Sequence, residues 1–198
     1  MTTPQFDIRP SLIKGDPADA YLHWTKEVMR LESLNPKVLM DFSAPNSGVL
    51  CGVEEAKALL LNVLPKVEQD NQTNNGNDVV QVWAMEEGEK FEAGEPVLRV
   101  ISKYASFGLY ETSILGMLSS STGWATAAND CVESAGETTV IAYGARHIHP
   151  NVAHILDYAS VIGGCSSVST ILGSKHAGRN PIGCLLYTSP SPRDGLLS

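Results

Sequence analysis

The run Tyr143-Gly144-Ala145-Arg146-His147-Ile148-His149-Pro150 constrains this chain more than any other stretch. It closes a β-prone segment at 138–142. A helix-compatible segment at 151–158 and a second β-like run at 159–164 follow it. Strand, polar tip, helix and strand in that order predict a βα unit of a parallel sheet. Functional sites in such folds gather at the carboxyl ends of strands, where this run lies. Arg146 is a permanent cation there, Tyr143 offers an aromatic face, and Gly144 lets a ligand approach the backbone. The local reading is a site for an anion joined to a flat ring.

Upstream, Ala20, Tyr21, Trp24, Val28 and Leu31 recur at helical spacing after Pro17, and Pro36 follows that helix. On spacing alone Tyr21 belongs to a core-facing stripe. Val38, Met40 and Phe42 alternate with Lys37, Leu39 and Asp41 and predict a strand over 37–43, with a turn at 45–48. Residues 53–64 predict an amphipathic helix, its apolar side built from Val53, Ala56, Leu59, Leu60, Val63 and Leu64. Glu54 and Glu55 suit its first turn. Residues 69–78 contain no apolar side chain and read as a solvated loop. Residues 79–85, Phe91 and residues 96–101 predict a meander of three strands. Seen alone, the stretch around Lys90 could belong to a swinging-arm carrier module of the biotinyl or lipoyl type. Those modules hold their lysine at a hairpin tip, and Lys90 lies off the obvious tip.

Residues 111–132 are the longest helix candidate, with Ile114, Leu115, Leu118, Thr122, Ala125 and Ala128 repeating at three and four. Small residues between them allow close packing, so a buried connecting helix between two domains is expected. Gly163-Gly164-Cys165-Ser166-Ser167 is expected to lead into a helix over 167–176. Such a start can cradle a phosphate on backbone N–H groups, although an ordinary helix cap is the simpler reading. Lys175 and His176 suit the end of that helix, and Asn180-Pro181-Ile182-Gly183 would open a further strand. His147 and His149 fall on one side if the segment is extended, with His154 at helical distance. No third ligand stands at a motif spacing, so no metal is assigned.

The formal net charge of −8 argues against a nucleic-acid backbone binder, yet allows a local basic pocket for one phosphorylated ligand. Residues 1–20 carry no signal-peptide pattern and no run reaches the length of a membrane span. Four cysteines without CxxC spacing read as free thiols of a reducing compartment. A cytoplasmic protein is expected.

Four motifs in order carry a family resemblance: residues 107–116 (FGLYETSILG), 144–150 (GARHIHP), Ile162-Gly163-Gly164 with Ser166-Ser167, and Asn180-Pro181-Ile182-Gly183. A looser match is Lys14-Gly15 followed by Asp19-Ala20-Tyr21. Over about residues 12–183 the chain resembles nicotinate phosphoribosyltransferase and, more widely, the type II phosphoribosyltransferases. The resemblance implies an α/β fold: an N-terminal α/β sandwich over 1–110, a connecting helix over 111–136, and the first part of an irregular, incomplete β/α barrel over 137–183. It implies an enzyme of NAD salvage that joins nicotinate to 5-phosphoribosyl 1-diphosphate. ATP is a co-substrate hydrolysed through a phosphohistidine, and Mg2+ accompanies the phosphates. It further implies a homodimer or higher assembly with shared sites. Carried over by position, Tyr143 stacks on the pyridine ring and Tyr21 of a neighbouring subunit covers the opposite face. Arg146 pairs with a phosphate or with the nicotinate carboxylate, Asp19 orients the ribose-diphosphate, and His149 faces the substrate. Catalytic roles fall to Arg146 and Asp19. The related nicotinamide-specific enzyme remains an alternative, as does a non-catalytic carrier or ligand-binding module.

After Gly183 the composition shifts abruptly to a Ser-Pro-rich stretch over 184–198 that cannot carry a barrel strand or helix interior. It reads as a non-native tail on a C-terminally truncated chain. The family's phosphohistidine is expected beyond Gly183, so no histidine here takes that role. The 198-residue chain is expected to be inactive or nearly so.

Overall fold

The computed structural model describes residues 6–64 and 80–183. The loop expected at 69–78 and the tail expected at 184–198 lie outside the described residues. The described residues divide into two compact units, one within 6–123 and the other over 124–183.

The first unit opens with two helices, α1 (Pro10–Lys14) and α2 (Ala20–Leu31). Strand β1 (Lys37–Ser43) follows where alternation predicted it, with Val38 and Met40 half-buried and Phe42 buried. After β2 (Gly48–Val49) comes α3 (Val53–Val63), which buries Val53, Ala56, Leu59 and Leu60. Strands β3 (Gln81–Ala84), β4 (Lys90–Phe91) and β5 (Pro96–Lys103) complete the set.

These last three strands are not a meander. The sheet order is β1-β5-β3, antiparallel throughout, while β4 leaves it to pair with β2. The longest strand takes the centre because it alone can bury both faces: Val97, Leu98, Val100 and Ser102 of β5 are all buried. Phe42, Leu98 and Val100 share one apolar cluster with Val53, Leu59 and Leu60 of α3 and with Phe107 and Ile114. Helices and an antiparallel sheet around one core make this an α/β unit. Lys90 is a strand residue paired with Val49, not a hairpin-tip lysine, which removes the geometry a swinging-arm module needs.

A short helix, α4 (Tyr104–Phe107), and a 3-10 turn at Gly108–Tyr110 lead into α5 (Glu111–Ala135). This helix was expected to be buried. Only a stripe is: Ile114, Met117, Leu118, Ser121 and Ala125 are buried, while Leu115 is 44% exposed. The small residues between them lie at the water-facing side as well as in contacts, so their spacing did not report burial.

The second unit holds β6 (Ile141–Ala142), 3-10 turns at Gly144–His147 and Pro150–Val152, α6 (Ala153–Ile162), β7 (Ser167–Val168) and α7 (Ile171–His176). Strands β6 and β7 pair in parallel, Ile141 with Ser167 and Ala142 with Val168. The βαβ order is as predicted, but the second strand is not at 159–163. Those residues are the end of α6, in which every side chain from Leu156 to Ser160 is buried. A short apolar run buried on all sides reads alike as helix or strand. Gly164, at φ 107, is what ends the helix, a conformation that L side chains rarely adopt. The Cys165 amide reaches back to the Ser160 carbonyl at 3.0 Å to close the end.

Gly163-Gly164 therefore terminates a helix instead of opening one. Ser166 and Ser167 enter β7, with the Ser166 amide bound to the Val140 carbonyl at 2.9 Å. Neither a phosphate cradle nor a cap forms at those serines. The cap of α7 is Thr170, whose Oγ1 accepts from the Gly173 amide at 3.0 Å while its hydroxyl donates to the buried Asp157. Residues 180–183 form no strand; the Ile182 amide makes a single bond to the Val168 carbonyl at 3.0 Å. No helix among the described residues is long and apolar enough to cross a membrane. Cys51, Cys131 and Cys165 are free thiols.

Candidate functional site

The candidate residues fall into two groups, one in each unit. In the second unit, Tyr143 follows β6 directly and precedes the Gly144–His147 turn. Its ring is 47% exposed, so ordinary core packing does not account for it. Its hydroxyl is shared between the carbonyls of Gly183 at 3.2 Å and Ile182 at 3.4 Å. Arg146 lies in the turn that Tyr143 immediately precedes, three residues further on. Arg146 is exposed and makes no hydrogen bond or ion pair among the described residues. It lies on a 3-10 turn, not in a buried barrel wall, and so needs no protein partner.

Gly144 was expected to admit a ligand. Its space is taken from within: a Cβ there would stand 2.7 Å from Cδ2 of Leu156. His147 and His149 do not share an extended face. His147 ends one 3-10 turn, and His149 caps the next by accepting the Asn151 amide on Nδ1 at 3.2 Å. That bond leaves Nε2–H as the polar atom of His149 open to a substrate. His154 does pack edge-on against His176, with ring centroids 5.8 Å apart, and Tyr158 packs on His176 at 5.1 Å. Burial, and then His154, holds the His176 imidazole below its ordinary value. Among the described residues no three His, Cys, Asp or Glu side chains stand together to hold a metal.

In the first unit, Asp19 occupies the N-cap position of α2 without capping its amides. Its carboxylate instead accepts from the Thr112 hydroxyl at 2.9 Å, and its own amide donates to Thr112 Oγ1 at 3.1 Å. Tyr21 is 52% exposed, against the core position that its spacing suggested. The whole stripe is outward: Trp24 is 68% and Leu31 64% exposed. Helical periodicity reports that one face is apolar, not what covers it. The Glu111 carboxylate, then partial burial, then Asp19, hold the Tyr21 hydroxyl above the usual tyrosine value. Burial and the same Glu111 raise Tyr104. Sequence reasoning assigned no role to Tyr104, Glu111 or Thr112. The last two lie inside the 107–116 motif, which was the available signal.

This is the layout of an α/β protein with an exposed tyrosine and an exposed arginine following a parallel strand. The chain belongs to the family described as quinolinate phosphoribosyl transferase, N-terminal domain, which matches residues 19–122. Its members are type II phosphoribosyltransferases of NAD biosynthesis. Over 92 residues the chain is 33% identical to a nicotinate phosphoribosyltransferase of Mycobacterium tuberculosis, covering 46% of this chain and 20% of that protein. It superposes on nicotinate-nucleotide pyrophosphorylase from Pyrococcus furiosus with a TM-score of 0.78 at 35% identity, over 93% of this chain and 45% of the other. Human nicotinic acid phosphoribosyltransferase shares the fold, with a TM-score of 0.64 at 20% identity, over 91% of this chain and 43% of the human one. The chain thus spans a fifth of the curated relative and under half of these solved structures.

Proposed function

We propose that this chain carries ring- and anion-binding elements of a nicotinate phosphoribosyltransferase, which joins nicotinate to 5-phosphoribosyl 1-diphosphate with ATP as co-substrate. The observation that carries the reading is Arg146, an exposed cation without a hydrogen bond or ion pair among the described residues, standing three residues from the exposed ring of Tyr143. A guanidinium fits a carboxylate or a phosphate in two-pronged fashion, and an aromatic face suits a pyridine ring. The relative from Mycobacterium tuberculosis points to nicotinate.

In this reading Tyr143 stacks on the ring and Arg146 holds its carboxylate or a substrate phosphate. His149 donates from Nε2, and Asp19 orients the ribose-diphosphate. Tyr21 of a second copy covers the other ring face; the outward stripe of α2 supports a homodimer. Displacement at the anomeric carbon passes through an oxocarbenium-like state, so the work is charge neutralisation of the leaving diphosphate and alignment of the ring nitrogen. A ring nitrogen needs no general base. Among the described residues no three His, Cys, Asp or Glu side chains are grouped to hold a resident metal. Magnesium would enter as part of the diphosphate substrate, held by its oxygens.

The family match favours a second reading, quinolinate as the acceptor. Quinolinate carries two carboxylates and calls for two cations, whereas the Tyr143 turn provides one permanent cation, Arg146, beside His147. Saturation-transfer NMR with nicotinate, nicotinamide and quinolinate, each with 5-phosphoribosyl 1-diphosphate, separates these. Nicotinate is expected to bind and nicotinamide to bind at least tenfold more weakly, as loss of one charge-assisted contact implies (about 1.5–3 kcal/mol). Tyr143→Ala and Arg146→Gln are each expected to abolish the signal. Preference for quinolinate would install the second reading, and silence from all three pyridines would sink both.

A further inference from the structure

We propose that Ser167, buried in β7, is a positioning residue for Tyr143: its hydroxyl holds the segment 180–183 on which the Tyr143 hydroxyl docks. The proposal rests on the reading of Tyr143 as the ring-stacking group. Ser167 is 3% exposed, and its hydroxyl donates to the Asn180 carbonyl at 2.5 Å, 13 residues further along the chain. The Val168 carbonyl lies 3.5 Å from the same hydroxyl, too far to compete for its one proton. Val168 instead uses that carbonyl to accept the Ile182 amide at 3.0 Å. Adjacent residues of β7 thus hold the segment at Asn180 and at Ile182. Between those anchors stands Pro181, whose φ is fixed and which has no amide of its own to satisfy.

The hold closes a circuit within the second unit. Ser167 pairs with Ile141 and Val168 with Ala142, and Tyr143 leaves the end of that pair. Its hydroxyl then reaches the Gly183 carbonyl at 3.2 Å and the Ile182 carbonyl at 3.4 Å. The strand that pairs with the backbone before Tyr143 therefore also places the carbonyls its side chain meets. Any acceptor would satisfy a buried serine hydroxyl. What distinguishes Ser167 is that its acceptor belongs to the segment that meets Tyr143. The Tyr143 bonds are longer than the roughly 2.7–2.8 Å usual for a hydroxyl donor. A small retreat of 180–183 therefore breaks them, and the half-exposed ring is not held by packing alone. Where Ser167 sets the segment decides where the Tyr143 ring stands.

The test uses the full chain labelled with 13C-tyrosine, the Tyr143 Cζ resonance being assigned by its absence in Tyr143→Phe. Wild type, Ser167→Ala, Tyr143→Phe and the double variant are compared. In Ser167→Ala the Tyr143 Cζ resonance is expected to move, and nicotinate affinity to fall about two- to tenfold, the scale of one neutral hydrogen bond. Tyr143→Phe keeps the ring, loses the tie and is expected to weaken binding by a similar factor. In the Tyr143→Phe background, Ser167→Ala is expected to cost no further affinity, because the serine acts through the hydroxyl already removed. A serine that merely stabilised the unit would lower affinity equally in both backgrounds, and that result overturns the inference. An unmoved Cζ resonance in Ser167→Ala overturns it as well. If Ser167→Ala does not fold, Tyr143→Phe decides through the other end of the circuit. Its Ile182 amide is expected to exchange with solvent faster than in wild type, and unchanged exchange overturns the inference. Failure of nicotinate to bind the wild-type chain overturns the functional reading, while the Cζ resonance still decides whether Ser167 sets Tyr143.

Discussion

Glu87 stands 34 residues from Val53, whose amide it holds at the start of α3. Its Oε1 accepts from the Gly52 amide at 2.8 Å and the Cys51 thiol at 3.4 Å; its Oε2 accepts from the Val53 amide at 3.0 Å. Three helix-start amides, including that of Glu54, thus have an acceptor that no local capping residue provides. Burial outweighs these bonds and holds the Glu87 carboxyl above its usual value; burial and then Glu87 do the same to Glu55. For a carboxyl raised in the folded state, the fold favours the protonated form. That contribution is present below the ordinary value of 4.5 and is lost as pH rises through the raised one. Urea unfolding of the wild type is therefore expected to show these two groups losing stability upward from about pH 4.5, with a shallower slope in Glu87→Gln. Glu87→Ala is expected to cost about 1–2 kcal/mol at pH 4.5 and below, the scale of a lost helix cap, and less as pH rises. Nothing local could announce this, because the turn at 86–89 looks in sequence like any acidic turn. Cys51 belongs to the same group; burial, and then Glu87, push its thiol up, so it is a poor nucleophile.

At the scale of elements, periodicity located α2, β1, α3 and the long helix, because each pattern is longer than one turn or one pleat. It failed where pairing partners decide. Phe91 looked like the middle of a meander, yet β4 pairs with β2 and β5 takes the sheet centre. The run at 159–163 looked like a strand, yet two glycines further on set it as the last turn of α6. That Tyr143 and Arg146 follow a strand of a parallel pair was legible from residue order. The bond between Thr112 and Asp19 was not, since a contact across 93 residues leaves no local trace. Gly144 shows the same limit: the glycine was plain, but what fills its space is Leu156. Gly144→Ala is expected to lower stability by about 1–3 kcal/mol through overpacking. Combining it with Leu156→Ala should recover part of that loss, and a double-mutant cycle on urea midpoints checks the coupling.

At the scale of the whole molecule, the family match over 19–122 coincides largely with the first unit, whereas Tyr143 and Arg146 lie in the second. The first unit has a three-stranded sheet and a broad apolar cluster; the second has a sheet of two residue pairs. Amide protection should follow. In hydrogen exchange read by mass spectrometry, peptides covering Val97–Val100 are expected to exchange last and those covering β6 and β7 clearly earlier. Uniform protection across both units would contradict this. The Tyr143 side chain is tied at its far end to the carbonyls of Ile182 and Gly183, 39 and 40 residues along the chain. A ring fastened at both ends has lost most of its rotational freedom before any ligand arrives. In the proposed reading, a stacking ligand would meet a surface whose ordering cost belongs to folding and not to binding.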